Sequence, residues 1–249
     1  MKRSILLFVP ILLIFIISFS QNIFSDIRSA EKLRLQLAMD AEKSAIKNSN
    51  HFSSLNKYLS LRRENISLCN DAGCRQAVEN LLPFRYMGEG RCGEINNSGQ
   101  REMCLALKRG SCSGLIEPMN RFCQAIMNKD ANLLSEIAAS RDFSRVAGDV
   151  MSSDDVREIL GVYYGFKEHS IIACERFLSD KRLSLSVQLS CPILFAKDPE
   201  QQINNILEDL AFFNLSRENN NSDLCESIRN YLIKNRCKDT KVKNLSDMW

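Results

Sequence analysis

Apolar positions spaced three and four apart dominate the chain from residue 26 onward, which is the periodicity of helices that bury one face. Ser25-Asp26 reads as a helix start, and Ala30, Leu33, Leu37, Ala38, Ala41 and Ala45 then recur at helical spacing to about Lys47. That stripe is narrow, rich in alanine and surrounded by charge, so a stalk or loosely docked helix fits it better than a central one. A second helix is expected over Ser53 to Arg63, with Leu55, Tyr58 and Leu59 inward. Further helices are expected from Gly73 to Leu82, from Ser98 to Lys108 and from Glu117 to Asn128, with Pro118 in the first turn. The clearest begins at Asp198-Pro199-Glu200-Gln201, an N-cap, a first-turn proline and a third-position glutamine. Ile203, Ile206, Leu207, Leu210 and Phe213 keep its helical spacing. Ser152 to Asp155 starts another, carrying Val156, Ile159, Leu160 and Tyr163, and a last helix is expected from Ser222 through Arg236. Residues 83–99, crowded with Pro83 and four glycines, form the least regular stretch.

One segment departs from this period. Leu183 to Ser190 alternates apolar and polar residues as a half-buried strand would, but the chain offers it no partner strand. It is therefore read as helix. Composition supports the all-α assignment: the 249 residues include only 8 Val, 1 Thr, 10 Gly and 5 Pro, too few β-branched and turn residues for a sandwich or barrel.

The N-terminus sets the compartment. Met1-Lys2-Arg3 precedes an apolar run from Ile5 to Ile17, and Ser18-Phe19-Ser20 offers the small residues of a cleavage site. Residues 1–20 therefore read as a secretory signal peptide, or as an uncleaved anchor if residues 4–24 span a bilayer. Either way Lys2 and Arg3 stay in the cytoplasm and the rest lies outside it, in the periplasm, the cell envelope or the medium. A charged helical segment over 21–63 and a cysteine-rich helical domain over 64–249 follow. The formal net charge of +3 falls to +1 without residues 1–20, which gives no reason to expect nucleic acid as a partner.

All ten cysteines lie beyond that leader: Cys69, Cys74, Cys92, Cys104, Cys112, Cys123, Cys174, Cys191, Cys225 and Cys237. An even set in an oxidising compartment reads as disulfides, up to five of them. A zinc site needs two closely spaced ligand pairs, and only Cys69 and Cys74 come near that spacing, so no metal is assigned. There is no CxxC. Cys92, Ile95, Arg101 and Cys104 share the offsets three, nine and twelve with Cys225, Ile228, Lys234 and Cys237. Cys112, Leu115, Arg121 and Cys123 follow with one residue fewer. The pattern suggests helical hairpins stapled through their inner faces. Asn96-Asn97-Ser98-Gly99 can turn the chain and permit a local Cys92–Cys104 bond. The stretch between Cys225 and Cys237 holds no Gly or Pro. An unbroken helix there would separate the two Cα atoms by about 18 Å, so the expectation is that these two pair elsewhere, with Cys174 and Cys191 the nearest candidates.

Motifs for chemistry are few. Gly88-Glu89-Gly90-Arg91-Cys92-Gly93 fits the letters of a dinucleotide-binding loop but lacks the strand before it, so no cofactor is assigned. Of the two histidines, His51 and His169, the latter beside Glu168 is the better acid–base candidate. Glu136, Asp142, Asp154, Asp155, Glu158 and Glu168 are carboxylates available for a glycosidase-like pair. Five N-x-S sequons begin at Asn65, Asn96, Asn214, Asn220 and Asn244. The reading is an extracytoplasmic helical structural or binding module with a protein or cell-envelope partner; the alternative is a secreted hydrolase built on paired carboxylates.

Overall fold

The computed structural model describes residues 29–138, 140, 153–180 and 182–249. The leader over 1–20, the anchor over 4–24 and Asp142 lie outside the described residues, as does the side chain of Asp154. The described chain is all helix and turn, without a strand. Helix α1 runs over 29–47, followed by α2 (Asn50–Arg63), α3 (Ala72–Glu89), α4 (Ser98–Arg109), α5 (Met119–Met127) and α6 (Ala131–Ala138). Then come α7 (Ser153–Glu168), α8 (Ile171–Leu178), α9 (Leu185–Gln188), α10 (Ser190–Leu194), α11 (Pro199–Glu218) and α12 (Tyr231–Lys238). Helix α3 lies between α2 and α7, and α7 packs in turn on α6 and α8. One continuous apolar core joins these helices to α11, α12 and the C-terminal residues Val242, Leu245 and Met248.

The helices end in a common way. At the ends of α2, α3, α4, α5, α7 and α11 one residue turns left-handed: Glu64, Gly90, Gly110, Lys129, His169 and Asn220. The amide of the next residue then reaches back to a carbonyl in the last turn. The bonds run from Asn65 N to Ser60 O, Arg91 N to Tyr86 O, Ser111 N to Ala106 O, Asp130 N to Ala125 O, Ser170 N to Gly165 O and Asn221 N to Ser216 O. This Schellman arrangement satisfies carbonyls that a helix end otherwise leaves open, and it reverses the chain sharply enough to lay the next helix alongside.

The ten cysteines pair in sequence order: Cys69–Cys74, Cys92–Cys104, Cys112–Cys123, Cys174–Cys191 and Cys225–Cys237. The Cys225–Cys237 bond corrects the sequence expectation, and its cause is a broken helix. Ser222–Ser227 is a 3₁₀ turn, Ile228 to Asn230 are extended, and α12 begins only at Tyr231. Asn230 caps α12 by accepting from the amides of Leu232 and Ile233. The carboxylate of Asp209, buried on α11, accepts from Arg229 N at 3.0 Å and Asn230 N at 2.8 Å and so holds the break open. The Cα atoms of Cys225 and Cys237 end 5.7 Å apart.

The offset repeat is physical. Cys92 and Cys225 both sit in 3₁₀ turns, Ile95 and Ile228 both drop into the core, and Asn97 and Asn230 both cap the following helix. At offset nine, Arg101 Nε reaches Ile95 O at 2.9 Å and Lys234 Nζ reaches Glu226 O at 3.0 Å. A second repeat escaped the sequence reading: Leu59-Ser60-x4-Asn65-x-x-Leu68-Cys69 recurs as Leu215-Ser216-x4-Asn221-x-x-Leu224-Cys225. In both copies the serine carbonyl closes the Schellman turn and the asparagine side chain accepts from the amide two residues on. The serine hydroxyl also lies against the cystine sulfur, at 3.5 Å in the first copy and 3.2 Å in the second.

Two further expectations change. Helix α3 does not stop before Pro83 but carries it as an interior residue and runs on to Glu89, ending at Gly90. Pro118 is the residue before α5 rather than its first helical residue. The alternating segment is helical, as expected, from Leu185 on, with Leu183 and Ser184 preceding the helix, and every residue from Leu185 to Cys191 is buried. Gln188 Nε2 pairs with Leu183 O at 2.7 Å and Ser190 Oγ with Val187 O at 2.7 Å, so its polar side chains are satisfied inside the protein.

The glycine-rich hexad resolves into separate structural parts. Gly88 lies where α3 crosses α7, and a Cβ there would stand 2.5 Å from Tyr163 O, a backbone atom that cannot swing aside. Gly90 is a left-handed helix stop with φ 72°, and a Cβ on Gly93 would meet nothing within 4 Å. Gly88→Ala is accordingly expected to cost roughly 2–3 kcal/mol by forcing the helices apart, whereas Gly93→Ala stays within about 0.5 kcal/mol. Urea unfolding of the two variants checks this, and equal midpoints would refute the close-crossing assignment.

Candidate functional site

His169 is the left-handed stop of α7, and Glu168 beside it is exposed and pairs with Lys129 at 3.5 Å. The two residues form a helix end, not the floor of a cleft. Among the other candidate acids that are described, Glu136 lies on α6 while Asp155 and Glu158 lie three residues apart on α7. Glu136 is exposed on α6, Asp155 is exposed in the first turn of α7, and Glu158 is buried. His51 packs its ring on Trp249 at 4.9 Å, and its burial lowers the imidazole pKa.

Glu158 belongs to a buried polar cluster. Lys57 Nζ lies 2.9 Å from one of its carboxylate oxygens and 3.2 Å from the other. Tyr58 is wholly buried beside it, and that burial, followed by the Glu158 charge, holds the phenol well above its usual range. Desolvation likewise raises Tyr163 and Tyr164 to about 12.

Arginine guanidinium groups hold helix ends. Arg85 Nη1 donates to the carbonyls of Leu61 and Arg62 at the end of α2, and its guanidinium lies 4.8 Å over the Phe166 ring. Arg217 Nη2 donates to Cys237 O and Asp239 O, each at 2.7 Å, at the end of α12. Arg91 ties Glu64, Glu89 and Glu94 together around the same turn that Arg85 supports. These charges complete the ends of helices, which accounts for their placement without substrate chemistry.

Three open grooves lie on the described surface. The first, of about 360 Å³, runs between α2 and the start of α3, where Asn50, Ser53, Lys57, Asp71 and Cys74 line it. The second, of about 220 Å³, lies over the α12 break beside Asp209 and Arg229. The third, of about 400 Å³, is bordered by Cys112, Asn120 and Met127. The first holds one carboxylate, the second one and the third none, so none presents the facing pair a glycosidase needs. Among the described residues no three His, Cys, Asp or Glu side chains are disposed to hold a metal ion. No described helix is long and apolar enough to cross a membrane.

Large apolar side chains are exposed at several places, Ile116 by 80% and Ile172 by 71% among them, and Leu33, Leu35 and Leu37 lie together on α1. Met39 and Ile46 dock that helix on the core, and Glu42 accepts from Asn214 Nδ2 on α11 at 2.9 Å. Of the stripe read from sequence, Ala38 packs half-buried against the core and the rest faces away from that dock. Ala30, Leu33, Leu37, Ala41 and Ala45 are all exposed, Leu33 by 60% and Leu37 by 62%, and every residue over 29–37 lies open to solvent.

No known protein family, curated protein or solved structure matches this chain. The geometry defines an all-α module stitched by five short-range disulfides, a construction that belongs to an oxidising, extracytoplasmic environment.

Proposed function

We propose that the protein is a structural or binding module of the cell envelope, held outside the cytoplasm by its N-terminal apolar segment and engaging a protein partner through α1. The exposed Leu33 and Leu37 on the undocked face of α1 carry this reading. Two large leucines one helical turn apart cost solvation free energy in the isolated chain and gain it back when a partner covers them. The disulfide framework supports the location, because such bonds persist in a compartment without reducing conditions.

A photo-crosslinking residue at Leu37, introduced into the full chain in cells, is expected to give a discrete protein adduct. The same residue at exposed Lys241 is expected to give none. Leu33→Glu/Leu37→Glu should retain the far-UV spectrum and thermal midpoint, since both side chains are exposed, yet abolish a crosslink introduced at Ala41. Equal labelling at Leu37 and Lys241, or an adduct unaffected by the double substitution, refutes the proposal.

A further inference from the structure

The Cys69–Cys74 cystine differs from the other four in its setting. It closes the shortest loop, with a sequence separation of 5 against 11 to 17 elsewhere. Its two sulfurs pack with Val78 in a small cluster apart from the main core, which holds the other eight cysteines. Cys74, 5% exposed, lines the 360 Å³ groove between α2 and α3, which is where an external thiol would approach it. A short loop restricts the unfolded chain least, so opening this bond costs the fold least.

We propose that Cys69–Cys74 is a thiol–disulfide exchange site that a soluble dithiol reduces through Cys74 while the remaining cystines stay oxidised. A donor thiolate attacks Cys74 Sγ, the S–S bond breaks, and Cys69 leaves as a thiolate with the electron pair. The Ser60 hydroxyl, 3.5 Å from Cys69 Sγ, is placed to donate a hydrogen bond to that leaving sulfur. The donor's second thiolate then attacks its own sulfur in the mixed disulfide and releases Cys74. Two electrons pass to the protein, the donor becomes a disulfide, and its two lost protons end on Cys69 and Cys74. Cys74 occupies the first turn of α3, where the helix N-terminus favours its thiolate, while the same groove is lined by Lys57, which pairs with Glu158, and by the Asp71 carboxylate, which accepts from Cys74 N at 2.7 Å.

The molecule supplies its own comparison. Ser216 stands against Cys225 as Ser60 stands against Cys69, but Cys225–Cys237 is held in the main core. Cys112 also borders a groove, though one without a charged lining residue, and its partner Cys123 is fully buried. The test is graded reduction of the folded full chain with dithiothreitol, quenched by N-ethylmaleimide and mapped by peptide mass spectrometry, with far-UV circular dichroism recorded alongside. Cys69 and Cys74 are expected to label first, at a rate on the order of tenfold or more above any other pair and with the helical spectrum unchanged. Ser60→Ala should slow that step by roughly tenfold, while Ser216→Ala leaves it unaltered. First labelling at Cys112–Cys123 or any other pair, labelling of all ten cysteines in one cooperative step, or a Ser60→Ala chain reduced at the unsubstituted rate overturns the proposal. The outcome is independent of whether α1 binds a partner.

Discussion

Asp209→Ala is expected to lower stability by about 3 kcal/mol, because it removes a charged acceptor from two backbone amides at once. Asp209 projects from α11 and is almost fully buried, and its two oxygens take Arg229 N and Asn230 N separately. Without it both amides lose their partner, and the Asn230 cap is left to oppose continuation of α12 back toward Cys225. The consequence should be visible twice. The thermal midpoint should fall by roughly 6–12 °C for a chain of this size, and oxidative refolding should yield a larger share of mispaired Cys225 and Cys237 in non-reduced peptide maps. Glu208→Ala is the control, since Glu208 meets Arg229 at 2.6 Å but both side chains are well exposed; it should change stability by less than about 1 kcal/mol. An Asp209→Ala chain as stable as Glu208→Ala would show that the turn holds itself.

The same carboxylate marks where local reading of the sequence stops. The start of α11 was legible because a cap and a periodic run stand together there. Asp198 does accept from Gln201 N at 3.0 Å, and α11 follows as the spacing requires. The break between Cys225 and Cys237 was not legible, because the residue that stabilises it lies on the preceding helix and the intervening stretch contains no Gly or Pro. A local signal did exist in Asn221 and Asn230, each of which accepts an amide in its own turn. Asparagine stops or starts helices without announcing itself as glycine does. The repeated Leu-Ser-x4-Asn-x-x-Leu-Cys string was equally available, but its meaning rests on the Schellman turn it closes. Pro83 misled in the opposite direction: burial of Leu81, Phe84 and Met87 on both sides of it carries α3 across a residue that normally ends a helix. For the site, the hydrophobic period marked α1 as helical but did not show which face would dock. Met39 and Ile46 take the core with Ala38 against it, and the rest of the alanine–leucine stripe is left outside.

Lys57→Met should be more damaging than any exposed substitution, with an expected loss of about 3–5 kcal/mol, because it strands the Glu158 carboxylate inside the protein. Glu158 is 3% exposed and Lys57 Nζ, at 2.9 Å, is the cation paired with it there. Burying either ion is costly by itself, and the pair offsets that cost through its mutual attraction at short range. It follows that the pair stabilises little relative to an apolar replacement, even though breaking it is severe. Lys57→Met/Glu158→Leu should therefore recover most of what Lys57→Met loses, giving a coupling of roughly 3 kcal/mol in a double-mutant cycle measured by urea denaturation. Additive losses would contradict this account, as would a Lys57→Met chain that unfolds within about 1 kcal/mol of the parent. Either result would mean that the carboxylate is solvated through the neighbouring groove, where Lys57 reaches the surface beside Ser53 and Asp71.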